Sequence, residues 1–389
     1  MKFSSRVSHL EAEGAYAVLA RAQELERQGR EILHLELGQP DFFTPEHIKE
    51  KGIQAIRENR TRYTPPAGLY RFRELIAEFA GRQRGVSITP EMVVVGPGSK
   101  VGLFFPTLAL VEPGDEVIYP DPGFPTYSAM IGVAGGVGVP IPLEEENQFS
   151  FDLDVFDRRI SDKTKLIILN SPANPTGGVI PLDDLKHIAE KAEKHNAWIL
   201  ADEIYTRLVY DGMDAAPSIA SLSGMLDRTV IADGFSKTFS MTGWRLGYVI
   251  APPKLAERLE LLVTHSTGST AEFTQYAGME ALTGPQDFVQ EMVTEYQKRR
   301  DRMVELLNAI PGIHAQKPQG AFYVFPNIKS FGISEREIQL RLLEEEGVAV
   351  LAGTDFGPGG SGYLRLCYAT SMQVIERALE KMTRFFARL

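Results

Sequence analysis

Short, nearly continuous apolar runs alternate with longer amphipathic stretches through the middle of the chain. The runs at 92–95, 116–119, 137–141, 166–170, 198–202, 229–232 and 246–250 have the length and β-branched content of strands. Helix-period patterns lie between several of them, as at 99–111 and 181–195. Apolar strands alternating with helices predict an α/β fold, with a mostly parallel seven-stranded sheet covered on both faces. Not every connection has room for a helix, so one antiparallel strand is expected. The pattern changes near Gly284 and Pro285. A long amphipathic stretch follows at 286–309, then shorter elements with turn signals at 311–312 and 357–362. This predicts a large domain over 45–285 and a smaller α+β domain built from 1–44 and 286–389.

The length of 389 residues agrees with two domains. A formal net charge of −10 disfavours nucleic acid and anionic membrane as partners. The single cysteine, Cys367, leaves no disulfide framework and no cysteine-rich metal site within the chain, and no metal is expected. The N-terminus, MKFSSRVSHLEAEGAY, lacks an apolar core and carries early glutamates, so no signal peptide is expected. No run is long enough to span a bilayer, and the expected compartment is the cytoplasm.

In open parallel sheets, ligands bind beyond the carboxyl ends of the strands. Four such ends here carry unlike polar groups. Gly96-Pro97-Gly98-Ser99-Lys100 opens a helix, whose free N–H groups and dipole suit a phosphate. Asn174 follows the strand at 166–170, Asp202 ends the next, and Lys237 follows the strand at 229–232 in GFSK. Alone, each has an ordinary reading: a strand-to-helix turn, a loop amide, a helix cap, a solvated lysine. Their convergence on one sheet edge is the signal. Lysine becomes a nucleophile near neutrality only if burial or cationic neighbours depress its pKa. The segment GFSKTFSMTGWRLGY supplies small and apolar residues and one nearby charge, Arg245. A dinucleotide fingerprint fails at its third glycine, where Val101 stands, and no GxxxxGK[ST], HExxH or GxSxG is present. The seven histidines are scattered and are read as structural or surface residues.

NPTG at 174–177, DEIY at 202–205 and SKTFSMTGWRLGY at 236–248 occur in order, with LGQPDF at 37–42, YTPPAGLYRFRE at 63–74 and GYLRLCYA at 362–369. With these motifs the chain resembles the class I/II aminotransferases of pyridoxal 5′-phosphate (PLP) fold type I, and among them the prokaryotic aspartate aminotransferase subgroup. The resemblance implies that Lys237 forms a Schiff base with PLP and then shuttles the substrate proton. It implies that Asp202 keeps the pyridine nitrogen protonated, so that the ring remains an electron sink. Tyr205 and Asn174 would bond the ring hydroxyl oxygen, and Phe124 would stack on the ring. Gly98, Ser99, Lys100, Ser236 and Arg245 would hold the phosphate, with Tyr63 reaching it from the other subunit of a homodimer. Arg365 would grip the substrate α-carboxylate as a bidentate fork, with a backbone contact from Gly38. Asn174, Lys100 and Tyr16 would also face substrate. Three features depart from the pattern of relatives: Gly234 replaces a serine that many carry, Pro97 enters the phosphate turn, and Ala15 and Tyr16 stand where some acidic-substrate relatives carry a hydroxyl residue. Lys100 matches a lysine that meets the distal carboxylate in such relatives.

The activity so implied is transfer of the amino group of an L-amino acid, aspartate first, to 2-oxoglutarate in a ping-pong cycle. The alternatives are a carbon–sulfur β-lyase on the same fold, an NAD-dependent dehydrogenase built on Gly96 and Gly98, and a PLP-sensing regulator. The regulator would need a DNA-binding segment, and no stretch is left over for one.

Overall fold

The computed structural model describes residues 4, 6–8, 10 and 12–389. Its centre is a seven-stranded sheet formed by β1 (Val93–Gly96), β2 (Glu116–Asp121), β3 (Val137–Pro142), β4 (Thr164–Asn170), β5 (Trp198–Asp202), β6 (Thr229–Gly234) and β7 (Gly247–Ile250). The order across the sheet is β1-β7-β6-β5-β4-β2-β3. Every pairing is parallel except those of β7, which runs antiparallel to both β1 and β6. The sheet and its single reversed strand agree with the apolar pattern, with strand ends moved by a residue or two.

The reversal at β7 has a local cause. A parallel crossover needs a helix to carry the chain back across the sheet. The link from Gly234 to Gly247 holds only a short 3₁₀ turn, Thr242–Trp244, so the chain turns back on the edge it has just left. Gly234 pairs with Gly247, and Gly247 with Gly96, so three glycines form one row. The loops that follow Gly96 and Gly234 are thereby neighbours. Two rows along, Asn170 pairs with Asp202 and Asp202 with Ala232. Helices Lys100–Leu110 and Pro253–His265 cover one face, and two apolar clusters fill the spaces beneath and above the strands.

Beyond the helix Glu272–Thr283 the chain enters the long helix Asp287–Asn308, close to the span expected. Strands Tyr323–Val324, Leu351–Ala352 and Leu364–Cys367 form a three-stranded antiparallel sheet, packed with helix Met372–Phe386 around its own apolar cluster. The strand Leu33–His34 pairs in parallel with Val348–Ala349. The helix Gly14–Arg27 spans both parts. Its Val18, Ala22 and Leu25 belong to one apolar cluster that holds Ile118 and Ile167 of the central sheet as well as Ala349 and Leu351.

Candidate active site

Lys237 projects from the loop after β6 toward the N-terminal segment, where its Nζ donates to the Gly38 carbonyl at 2.5 Å. The rings of Tyr205 and Phe322 lie 5.8 and 5.6 Å from Nζ. Burial lowers the amine to about pKa 8, and the guanidiniums of Arg365 and Arg245 push in the same direction. An amine in this range is substantially unprotonated just above neutrality, as a nucleophile or proton carrier requires.

Asp202 ends β5 and is 4% exposed. Burial raises its carboxyl to about pKa 6, against the hydrogen bond that Tyr127 donates to Oδ2 at 2.7 Å. The neighbouring strand fixes the backbone here: Asn170 Nδ2 donates to the Asp202 carbonyl at 3.1 Å, and Asn170 Oδ1 accepts from the Asn174 N–H at 2.8 Å. The register between Asn170 and Asp202 therefore also positions Asn174.

Arg365 sits on strand Leu364–Cys367 and is 4% exposed. Its Nη1 donates to Asn174 Oδ1 at 3.2 Å and its Nη2 to the Glu36 carbonyl, both neutral acceptors. The guanidinium lies over the rings of Tyr323 and Phe356, at 4.5 and 4.9 Å. Its Nε is buried and unpartnered. No carboxylate pairs with Arg365 or Lys237 among the described residues. Buried cations without counterions are costly, so this chamber is electrostatically incomplete until an anion enters it.

The phosphate candidates gather at the turn after β1 and the loop after β6. Gly98 has φ +94°, and a Cβ there would come 2.5 Å from Arg245 Nη2, so only glycine lets the guanidinium approach the turn. Arg245, itself at φ +53°, donates to the carbonyls of Thr242 and Pro97 at 3.0 and 3.2 Å. Pro97 thus serves the turn through its carbonyl. Ser99 flanks the N-terminus of helix Lys100–Leu110, and Ser236 is buried. A cleft of about 710 Å³ opens beside this turn, lined by Gln39, Phe43, Pro97, Trp244, Arg245 and Ser269. Thr44 ties the N-terminal loop to this wall, donating to the Ser240 carbonyl at 2.6 Å and accepting from Trp244 Nε1 at 3.1 Å.

Lys237, Asp202, Asn174, Tyr205, Arg365 and Gly38 are thus linked through one another's contacts. Lys100 and Phe124 join them: Lys100 Nζ lies 5.1 Å from the Phe124 ring centroid, and Phe124 meets Tyr127 edge-on at 5.8 Å. Tyr16 and Tyr63 remain outside. Tyr16 is 63% exposed and Tyr63 fully exposed in the single chain. Two site residues escaped the sequence reading. Tyr127, in the first turn of the helix Thr126–Ala134 that follows Phe124, could have been inferred from its place in DPGFPTY. Tyr323 could not: it arrives from the distant GAFYVF segment, where its hydroxyl lies 2.7 Å from that of Tyr205. A Cβ at Gly38 would collide with the same hydroxyl, which accounts for the glycine there.

The family described as "Aminotransferase class I and II" matches residues 30–382. An asparagine–oxo-acid transaminase of Streptococcus mutans is 38% identical, with all of both chains covered. A probable aspartate/prephenate aminotransferase of Aquifex aeolicus is 38% identical over 98% of each chain. Among solved structures, aspartate aminotransferase from Thermus thermophilus with maleate superposes with a TM-score of 0.94, at 39% identity and 99% coverage of each chain. The chain is an enzyme of the class I and II aminotransferase family.

Proposed function

We propose that this aminotransferase uses PLP, bound through Lys237, to move the amino group of an L-amino acid to a 2-oxo acid, with 2-oxoglutarate the first acceptor to test. The observation that carries this reading is the pairing of a depressed amine, Lys237, with a buried guanidinium, Arg365, that has no counterion. The first suits attachment of an aldehyde, and the second suits a carboxylate. When bound, the cofactor supplies an electron sink and a store for the amino group between the two halves of the cycle.

The protein supplies position and protons. Asp202, held by Tyr127, would hold the ring nitrogen of the cofactor and favour its protonated form. Tyr205 and Asn174 would donate to the ring oxygen, and Phe124 would cover the ring. Gly98, Ser99, Ser236 and Arg245 would hold the phosphate. The Lys237 amine would carry the proton to and from the substrate Cα. Arg365 and Gly38 fix the substrate carboxylate. A homodimer completes the site, Tyr63 of the partner subunit reaching the phosphate. The full exposure of Tyr63 and the 88% exposure of Phe43 in one chain agree with such a covered face. The division at residues 45 and 285 separates a cofactor-holding unit from a smaller one that brings in Arg365 and Gly38. No described helix is long and apolar enough to cross a membrane, and we place the enzyme in the cytoplasm.

The names of the relatives support the reaction class more than the donor, since they include asparagine, aspartate and prephenate. The test is spectroscopic. The holoprotein should show a near-ultraviolet to visible cofactor band that an amino donor bleaches and 2-oxoglutarate restores. The Lys237→Ala variant should fold and fail to transaminate. No bleaching by any common L-amino acid, or release of pyruvate and ammonia without an acceptor, would contradict transamination.

A further inference from the structure

We propose that Glu13 sets donor specificity, making the subsite beside Phe124 electrically neutral and suited to an amino acid whose side chain ends in a carboxamide. This rests on the transamination reading above and names the donor class of that site. Glu13 accepts a hydrogen bond from Lys100 Nζ. The same Nζ stands over the Phe124 ring, Phe124 meets Tyr127, and Tyr127 donates to Asp202. The ion pair is therefore joined by three successive contacts to the carboxylate at the centre of the site.

Glu13 is held there by its backbone. It immediately precedes helix Gly14–Arg27, and a Cβ on Gly14 would lie 2.4 Å from the Asp355 carboxyl carbon. Asp355 is fixed in turn by Arg336 at 2.7 Å. The close approach at Gly14 presses the start of the helix against the C-terminal elements and aims the preceding residue at Lys100.

A lysine alone at this position would attract a second substrate carboxylate. With Glu13 beside it, an incoming carboxylate meets one positive and one negative charge at similar range, and the attraction largely cancels. A carboxamide matches the pair instead. Its oxygen accepts from the ammonium, and its NH₂ donates to the Glu13 carboxylate. A dicarboxylate, 2-oxoglutarate included, enters by displacing Glu13 from Lys100. An ordinary surface ion pair contributes little to stability, so the effect is sought in specificity.

The test uses the holoenzyme and its Glu13→Gln variant with one fixed acceptor. We expect the wild type to favour asparagine or glutamine over aspartate or glutamate in kcat/KM by about tenfold or more, a charge-assisted hydrogen bond's worth. In Glu13→Gln that ratio should fall by about tenfold, and maleate, titrated calorimetrically, should bind about tenfold more tightly. Preference of the wild type for the dicarboxylic donors would overturn the proposal. So would a variant whose donor ratio and maleate affinity both stay within about twofold of wild type. If no donor is turned over at all, the transamination reading fails. Titration of maleate against succinamate, which needs no turnover, then decides the role of Glu13 by itself.

Discussion

Replacing Asp202 by asparagine should stabilise the cofactor-free protein while weakening its hold on PLP. Burial raises the Asp202 carboxyl from 3.8 to about 6. The folded protein therefore holds this proton more tightly than the unfolded chain does. Between about pH 4 and pH 6 the native state binds more protons, so this residue's contribution to stability falls as pH rises, and above about pH 6 the full penalty is present. A shift of roughly two units at about 1.4 kcal/mol each gives about 3 kcal/mol. Asparagine keeps an oxygen acceptor for Tyr127 and carries no charge, so it avoids most of this cost. Urea unfolding of both cofactor-free proteins is the assay, and the variant's advantage should grow by about 2.4 kcal/mol between about pH 4 and pH 8, since part of the penalty is already present at pH 4. Other titrating groups cancel in the difference. With PLP bound the order should invert, because the ring nitrogen loses its charged partner. A difference that does not change with pH would refute the reasoning.

Attachment of PLP to the cofactor-free protein should accelerate with pH, rising toward tenfold per unit and levelling off above about pH 8, where the Lys237 amine is neutral; stopped-flow absorbance reads this directly. Arg365→Lys should raise the KM for the amino acid by about 10- to 100-fold, since one of two parallel charged hydrogen bonds is lost, with a smaller change in kcat; steady-state kinetics on the holoenzyme checks it.

The sheet was legible because each strand is a short apolar run set between helix-period stretches, and that contrast survives into the fold. The reversed strand was legible from the want of room between Gly234 and Gly247. Strand-end chemistry was legible for the same reason: Asn170, Asp202 and Gly234 stand on strand termini, so order along the chain becomes proximity across the sheet. Contacts made by loops far apart in sequence were not. The approach of Lys237 to Gly38, the hydroxyl pair of Tyr205 and Tyr323, and the pairing of Glu13 with Lys100 depend on how the N- and C-terminal segments fold onto the sheet. No local periodicity encodes that. The roles assigned to Lys100 and Arg365 came from resemblance. The structure adds what surrounds each: an anionic neighbour for the first and neutral acceptors for the second.

The central claim is that the amine of Lys237 carries the cofactor. Reducing the holoprotein with borohydride, digesting it and mapping the labelled peptide tests this most directly. A single pyridoxyl label is expected on the peptide containing GFSK, at Lys237. A label on Lys100 or any other lysine, or no retained label, would contradict it.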